Sequence, residues 1–216
     1  METVNVKEDT KRKILEKALE LFSERGYESV SVDEIAKAVG IKAPSLYNHY
    51  SGKKAIFYAI VSETEKIYDN DTDKFSIHVA DSGKDVAIFS EISEDALFEK
   101  ARLVFEYSLH NDKIRRFRKM MTIEQFRSEE LAKLYTERFV TRLISYHAGI
   151  FRYLIKLGEI AEEDPEMLAF SYVCPILTLI GICDRQPERE EECLLKLRAH
   201  VRLFFNTYNK NRGKNK

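Results

Sequence analysis

Hydrophobic residues recur every three or four positions along the N-terminal part of the chain, which is the period of an amphipathic helix. Residues 11–25 carry this period, and Gly26 suits the left-handed turn that ends a helix. Ser31 and Glu34 have the spacing of a capping box, in which each side chain accepts a hydrogen bond from the backbone N–H of the other residue. A second, short helix is therefore predicted over residues 31–39.

The helical period covers most of the remaining chain, with one interruption. Pro44 suits the first turn of a third short helix, and Ser51 can cap a longer fourth one. Residues 69–93 break the pattern and are predicted as a loop or a small hairpin with FSIHV and VAIF as strands; a short helix over 84–90 is the alternative. Further helices are predicted over residues 93–110, 114–121, 128–158, 165–183 and 188–206. The predicted fold class is therefore all-α.

The second and third helices have the spacing of a DNA-binding helix-turn-helix. Ala36 is small enough for a close helix crossing, and Gly40 can adopt the positive φ that the turn requires. Ile41 and Leu46 are placed to fill the gap between these helices and the first one. The outward face of the third helix then offers Lys42, Ala43, Ser45, Tyr47, Asn48 and His49 to DNA.

The charges of the chain allow DNA binding through a local basic patch and not through the whole surface. Lys and Arg total 35 against 36 Asp and Glu, which excludes a uniformly basic nucleic-acid coat. Residues 42–54, however, contain three Lys and no acidic residue. Ser51 and Gly52 add free backbone N–H groups at a helix start beside Lys53, which is a typical seat for a phosphate.

The remaining composition predicts a cytoplasmic protein without a membrane segment. Cys174, Cys183 and Cys193 form no C-x-x-C pair and are expected to be reduced thiols. A signal peptide would require an apolar run after the positive charges of the N-terminal segment, and the sequence has none there. The longest strongly apolar stretch, residues 172–183, is too short to span a bilayer.

From Thr10 to about Ile56 the sequence resembles the TetR/AcrR family of bacterial transcriptional regulators. The most specific part is Leu46-Tyr47-x-His49-Tyr50-x-x-Lys53, preceded by Ala36 and Gly40. The resemblance implies a helix-turn-helix DNA-binding domain at residues 1–54 and a helical effector-binding and dimerisation domain at residues 55–216. Phe is commoner in the family than this Tyr50, and Asp33 lies where some relatives contact a base or phosphate.

The resemblance also implies roles for individual residues. Tyr47, His49 and Lys53 would contact phosphates, while Ala43, Ser45 and Asn48 would face base edges, where Asn can read adenine. Two copies would bind a pseudo-palindromic operator as a homodimer. The interface candidates on the last two helices are Leu168, Tyr172, Leu179, Leu194, Leu197, Val201 and Phe205. Each of them can equally belong to the core of one chain.

Members of this family typically hold a small-molecule effector between the helices of the C-terminal part. The aromatic content of that part favours an apolar or aromatic effector. The lining candidates are Phe105, Tyr107, His110, Phe117, Met121, Gln125, Tyr146, His147, Phe151 and Tyr172. The leading interpretation is thus a repressor that an effector releases from its operator.

Two alternatives stay open at the level of the sequence. The same fold could serve as a ligand-independent DNA-binding organiser or activator. A helical enzyme is disfavoured because the chain has no P-loop, G-x-S-x-G, H-E-x-x-H or paired Cys/His ligand motif. No cofactor and no metal are expected.

Overall fold

The computed structural model describes residues 6–74, 82–90, 92–127 and 129–210. In the N-terminal part the helices are α1 (Val6–Arg25), α2 (Val32–Val39), α3 (Ala43–Tyr47), α4 (Lys53–Lys74), α5 (Ser82–Phe89), α6 (Glu94–His110) and α7 (Asp112–Glu124). They are followed by α8 (Glu129–Thr136), a π-helical turn (Glu137–Thr141), α9 (Arg142–Lys156), α10 (Pro165–Arg185), a 3₁₀ turn (Pro187–Arg189) and α11 (Glu190–Tyr208). No named strand occurs in these ranges, so the all-α prediction is confirmed.

The chain divides into two compact units that do not coincide with a single cut in the sequence. The first unit comprises Met1–Tyr68 and Asp112–Tyr135, and the second comprises Asp69–Asn111 and Thr136–Lys216. Helix α7 therefore belongs to the same unit as the first three helices, against which it packs through α1. The functional boundary at residue 54 stays a prediction.

The short helices α2 and α3 of the first unit begin and end at the residues that the sequence predicts. Ser31 and Glu34 form the predicted capping box at the start of α2, and Gly40 ends this helix in the left-handed conformation with φ of 81°. Pro44 occupies the first turn of α3, as predicted. The unit is filled by apolar side chains of α1, α2, α3, α4 and α7, among them Phe22, Ile35, Leu46, Ile60 and Met120.

The second unit is built around one hydrophobic core to which α5, α6, α9, α10 and α11 contribute. Asp164 caps α10 by accepting a hydrogen bond from the backbone N–H of Met167, and Gly158 follows the end of α9 with φ of 74°. Short helix α5 packs on α9, where the Ser82 hydroxyl would lie 2.2 Å from a Cβ at position 149. Gly149 is therefore required for this close approach.

The hairpin predicted within residues 69–93 is wrong where the structure describes it. Helix α4 runs on to Lys74, and the VAIF segment lies in α5, as the alternative prediction of a short helix had it. The FSIHV segment lies outside the described residues. Alternation of apolar residues is a weak signal over so short a stretch, and Val86 and Phe89, three apart, are instead the buried face of a helix.

Candidate nucleic-acid interface

The turn between α2 and α3 has the geometry that a helix-turn-helix requires. The backbone N–H of Ile41 donates to the carbonyl of Ala36 at 3.0 Å, which closes the turn at Gly40. Ala36 and Leu46 are buried at the helix contact, as the sequence predicts. The packing of these two small helices therefore fixes the direction in which the rest of α3 faces.

The residues of α3 that were predicted to meet DNA lie on its accessible side. Lys42, Ser45 and Asn48 are exposed, Ala43 is partly exposed, and Tyr47 keeps 55% of its surface accessible. The exposed face can therefore present a hydroxyl, an amide and a phenol to a groove.

His49 and Tyr50 are held more tightly than their neighbours. His49 is half-buried, and its Nδ1 atom is shielded from solvent without a hydrogen-bond partner among the described residues. Tyr50 is also half-buried, which raises the pKa of its phenol, and the Lys11 ammonium lies 6.0 Å from its ring centroid. Tyr50 thus lies beside α1 within the first unit.

Lys53 makes contacts that sequence reasoning did not anticipate. Its ammonium Nζ donates to the carbonyl of Tyr27 at 2.9 Å and lies 3.4 Å from the carbonyl of Glu28. The same ammonium lies 4.3 Å from the centroid of the Tyr27 ring, within cation–π range. Because an ammonium has three donors, one remains available for the predicted phosphate contact. Lys53 thus anchors the turn between α1 and α2 while standing at the start of α4.

The candidates for an effector pocket fall into both units. Phe117, Met121 and Gln125 lie in the first unit, where the Phe117 and Met121 side chains are buried. The other seven lie in the second unit. His110 pairs there with Glu190 at 2.8 Å, and the Tyr107 hydroxyl donates to Asp71 at 2.8 Å. The structure does not bring the ten candidates into one described cavity.

Four of those candidates do form an aromatic cluster, which we define as Tyr146, His147, Phe151, Tyr172 and the unforeseen Phe204. The ring centroids of His147 and Tyr172 are 5.2 Å apart, and those of Phe151 and Phe204 are 5.3 Å apart. Burial lowers the pKa of His147 to about 4, so its neutral ring donates from Nδ1 to the Leu143 carbonyl. Burial raises the pKa of Tyr172. The Tyr146 hydroxyl donates to the buried carboxylate of Asp85.

Most interface candidates on α10 and α11 lie inside the protomer. Five of the seven, namely Leu168, Tyr172, Leu179, Leu197 and Val201, are buried in the core of the second unit, while Leu194 and Phe205 are partly buried. The accessible apolar surface of these helices belongs to other residues. A groove of about 640 Å³ is lined by Phe170, Ser171, Cys174, Pro175, Thr178, Leu179, Ile182, Lys196 and His200.

Other candidate chemistry is sparse in the described ranges. No group of three or more His, Cys, Asp or Glu side chains there is arranged to hold a metal ion. Burial, with a smaller contribution from a hydrogen bond to Cys193, raises the pKa of the Cys183 thiol to about 12, which disfavours the reactive thiolate. By length and composition α10 alone among the described helices could cross a membrane, a test that apolar helices of a protein core also pass.

Glu124, the last residue of α7, is a polar residue of the first unit whose position the sequence signals only in part. The Glu124 side chain is buried, and its carboxylate accepts a hydrogen bond from the backbone N–H of Tyr27 at 2.9 Å. A signal for this was present, because Glu124 continues the apolar stripe of Ile114, Phe117 and Met121 at helical spacing. An acidic residue on the buried face of a helix requires a partner.

Comparison with known proteins agrees with this arrangement. Residues 14–60 match the model of the bacterial regulatory proteins of the tetR family. The chain is 51% identical over 47 residues to IcaR, the negative transcriptional regulator of the biofilm operon icaADBC in Staphylococcus aureus strain Newman. That match covers 22% of this chain and 25% of IcaR, so the chain spans about a quarter of the length of the curated relative.

Similarity to solved structures extends over nearly the whole chain. A TetR-family transcriptional regulator from Mesorhizobium loti aligns with a TM-score of 0.69 at 20% identity, covering 94% of this chain and 98% of its own. The flavonoid-responsive regulator FrrA aligns with a TM-score of 0.61 at 22% identity, with the same coverage of both chains. At this identity the likeness establishes the fold. Residues 14–60 thus match the tetR family of bacterial regulatory proteins, and the chain has the fold of TetR-family regulators.

Proposed function

We propose that this chain is a homodimeric, sequence-specific DNA-binding transcriptional regulator of the cytoplasm, acting as a repressor that a small-molecule effector releases from its operator. The observation that carries the proposal is the exposed face of α3, with Ser45, Tyr47 and Asn48 accessible beside Lys42. Its supports are the helix-turn-helix turn at Gly40 and the match of residues 14–60 to the tetR family. IcaR, a negative regulator, favours repression.

DNA binding is tested by selecting duplexes from a random pool and measuring affinity by fluorescence anisotropy. We expect the full chain to prefer a pseudo-palindromic duplex over random duplex by at least about 10³-fold at moderate salt, as specific binding requires. Half-sites about one helical turn apart would match two α3 helices of a dimer. Equal affinity for selected and random duplex would contradict the proposal.

Dimerisation is supported by the composition of α10. Its most apolar window of 18 residues has a mean hydropathy of 1.8, yet only 39% of that window is buried. In the groove between α10 and α11, Phe170 is exposed and Cys174 and Ile182 are partly exposed, and small Ser171 and Thr178 would let a partner helix approach closely. A second copy of the chain is the occupant that a two-fold operator requires.

The dimer proposal has a direct test in the Thr178→Arg variant, which places a charge in the groove. Sedimentation analysis is expected to show a dimer for the natural sequence and a monomer for this variant. A Leu157→Arg variant, altered at the exposed apolar residue that caps the C-terminus of α9, is the matched control and should stay dimeric. The partly exposed Cys174 should react with a thiol reagent only in the monomer. A monomeric natural chain would refute this part.

The effector proposal rests on the aromatic cluster. Its side chains are apolar or neutral, since burial keeps His147 unprotonated, and Tyr146 and Tyr172 add hydroxyl groups. A pocket that opened among these side chains would favour a flat, apolar or aromatic molecule, and the similar FrrA is flavonoid-responsive. A flavonoid titrated into the protein–duplex complex is expected to release the duplex. If no aromatic compound changes the affinity, the ligand-independent regulator is the better interpretation.

A further inference from the structure

One acidic side chain of the first unit is buried next to the turn between α1 and α2. Glu124 is the last residue of α7 and is 1% exposed, on the same face of the helix as the buried Phe117 and Met121. An ionised carboxylate in such a place is unfavourable unless hydrogen bonds compensate it. Burial of Glu124 therefore requires hydrogen bonds to its carboxylate.

Those contacts converge on the turn between α1 and α2. The Glu124 Oε1 atom accepts a hydrogen bond from the backbone N–H of Tyr27 at 2.9 Å, and Oε2 lies 3.2 Å from Nε of Arg127. Gly26, with φ of 80°, makes room for the carboxylate, because a Cβ there would lie 3.1 Å from Oε1. The carboxylate thus binds the backbone of the turn that follows α1.

The same turn is held on its carbonyl side by Lys53. The carbonyl of Tyr27 accepts from Nζ of Lys53 at 2.9 Å, while its N–H is the group bound by Glu124. The Tyr27 ring packs between the Lys53 ammonium, 4.3 Å from its centroid, and the Phe57 ring, at 5.3 Å. Tyr27 therefore links α7 to the first turn of α4, which contains Lys53, the residue predicted to contact a phosphate.

We propose that Glu124 is a positioning residue for DNA binding: by holding Tyr27, it keeps the Lys53 ammonium at the start of α4 in the place where it meets a phosphate. This inference rests on the proposed DNA-binding function. Glu124 itself is buried and touches no DNA. It acts through the peptide of Tyr27, and its loss leaves that N–H without its charged acceptor.

The test compares three variants of Glu124 in the full chain on the selected duplex. Glu124→Leu removes the acceptor, Glu124→Asp keeps the charge but is one methylene too short, and Glu124→Gln keeps a carbonyl oxygen for the Tyr27 N–H. Glu24→Gln, on exposed α1 surface and 3.8 Å from Arg116, is the control. Affinity is measured by anisotropy at four salt concentrations, with thermal unfolding in parallel.

We expect Glu124→Leu and Glu124→Asp to weaken duplex binding at least about 10-fold and to lower the slope of log affinity against log salt by about one, as loss of one phosphate contact does. Glu124→Gln should stay within about 3-fold of the natural chain with its slope unchanged. The control should leave both quantities as they are. The change of salt slope separates positioning from mere stability, which would lower the melting temperature alone.

Several results would overturn the inference. An unchanged affinity and slope in Glu124→Asp refutes it, and this variant decides the matter if Glu124→Leu does not fold. Equal losses in all three variants with an unchanged slope also refute it, since they would assign Glu124 to stability. Absence of any preferred duplex for the natural chain is a different outcome, because it contradicts the proposed function itself.

Discussion

Replacing Lys53 by Met removes a charge while keeping an unbranched side chain of similar length. In the structure this breaks the hydrogen bond from Nζ to the Tyr27 carbonyl, for which a charged donor gives about 1.5–3 kcal/mol. The contact with the Tyr27 ring at 4.3 Å adds about 0.5–1 kcal/mol. The 3.4 Å approach to the Glu28 carbonyl is too long to add much. Since Lys53 is half-buried, we expect a net loss of about 2 kcal/mol in the free energy of unfolding.

Thermal unfolding followed by circular dichroism measures this loss. For a chain of this size the melting temperature should fall by about 4–8 °C. The salt slope of duplex binding should fall by about one on every sequence tested, because a phosphate contact carries no sequence information. Lys54→Met is the matched control, since Lys54 is exposed and lies 5.6 Å from the Tyr58 ring centroid. A melting temperature within 1 °C of the natural chain would refute the anchoring role of Lys53. An unchanged salt slope of duplex binding would refute its phosphate contact.

Four further variants are tested by duplex binding or by unfolding. Asn48→Ala should relax preference at one base position by about 1–3 kcal/mol, which binding to a set of single-base variants measures; a uniform loss on all duplexes would contradict base reading. Gly40→Ala should cost about 1–2 kcal/mol of unfolding free energy for its φ of 81° alone. Gly26→Ala should cost about 1–3 kcal/mol more, because its Cβ would crowd Glu124; equal costs would refute that crowding. The Ser31 backbone N–H, and then Arg25, lower the pKa of Glu34 from 4.5 to about 2. The stability that the Glu34 carboxylate adds is therefore complete above pH 4.5 and is lost as the pH falls toward 2. In Glu34→Gln the melting temperature should depend less on pH over that window.

The N-terminal elements could be predicted because their signals are local. The capping box of Ser31 and Glu34, the left-handed Gly40 and the position of Pro44 each depend on a few neighbouring residues, and each is confirmed. The accessible side of α3 follows from them, since burial of Leu46 leaves Ser45 and Asn48 outside. Local rules thus suffice to define the candidate DNA-binding face.

The contacts of Lys53 and Glu124 could not be predicted in the same way. Tyr27 is 26 positions from Lys53 and 97 from Glu124, so no local pattern links them. The grouping of α7 with the first three helices is equally non-local. The sequence could indicate only that Glu124 lies on an apolar face and requires a partner, and tertiary packing decides which partner that is.

The interface candidates show a different limit, which arises from the composition of α10. Helical periodicity locates a core only where one face is apolar and the other polar. In α10 both faces are apolar: Leu168, Tyr172 and Val173 point into the core, while Phe170, Cys174 and Pro175 line the groove. The sequence could not tell which face is which, and the side chains chosen from it were largely those of the core. A helix that is apolar on both faces requires two partners, and the protomer supplies only one of them. This imbalance is the physical basis for proposing that a second copy covers the groove.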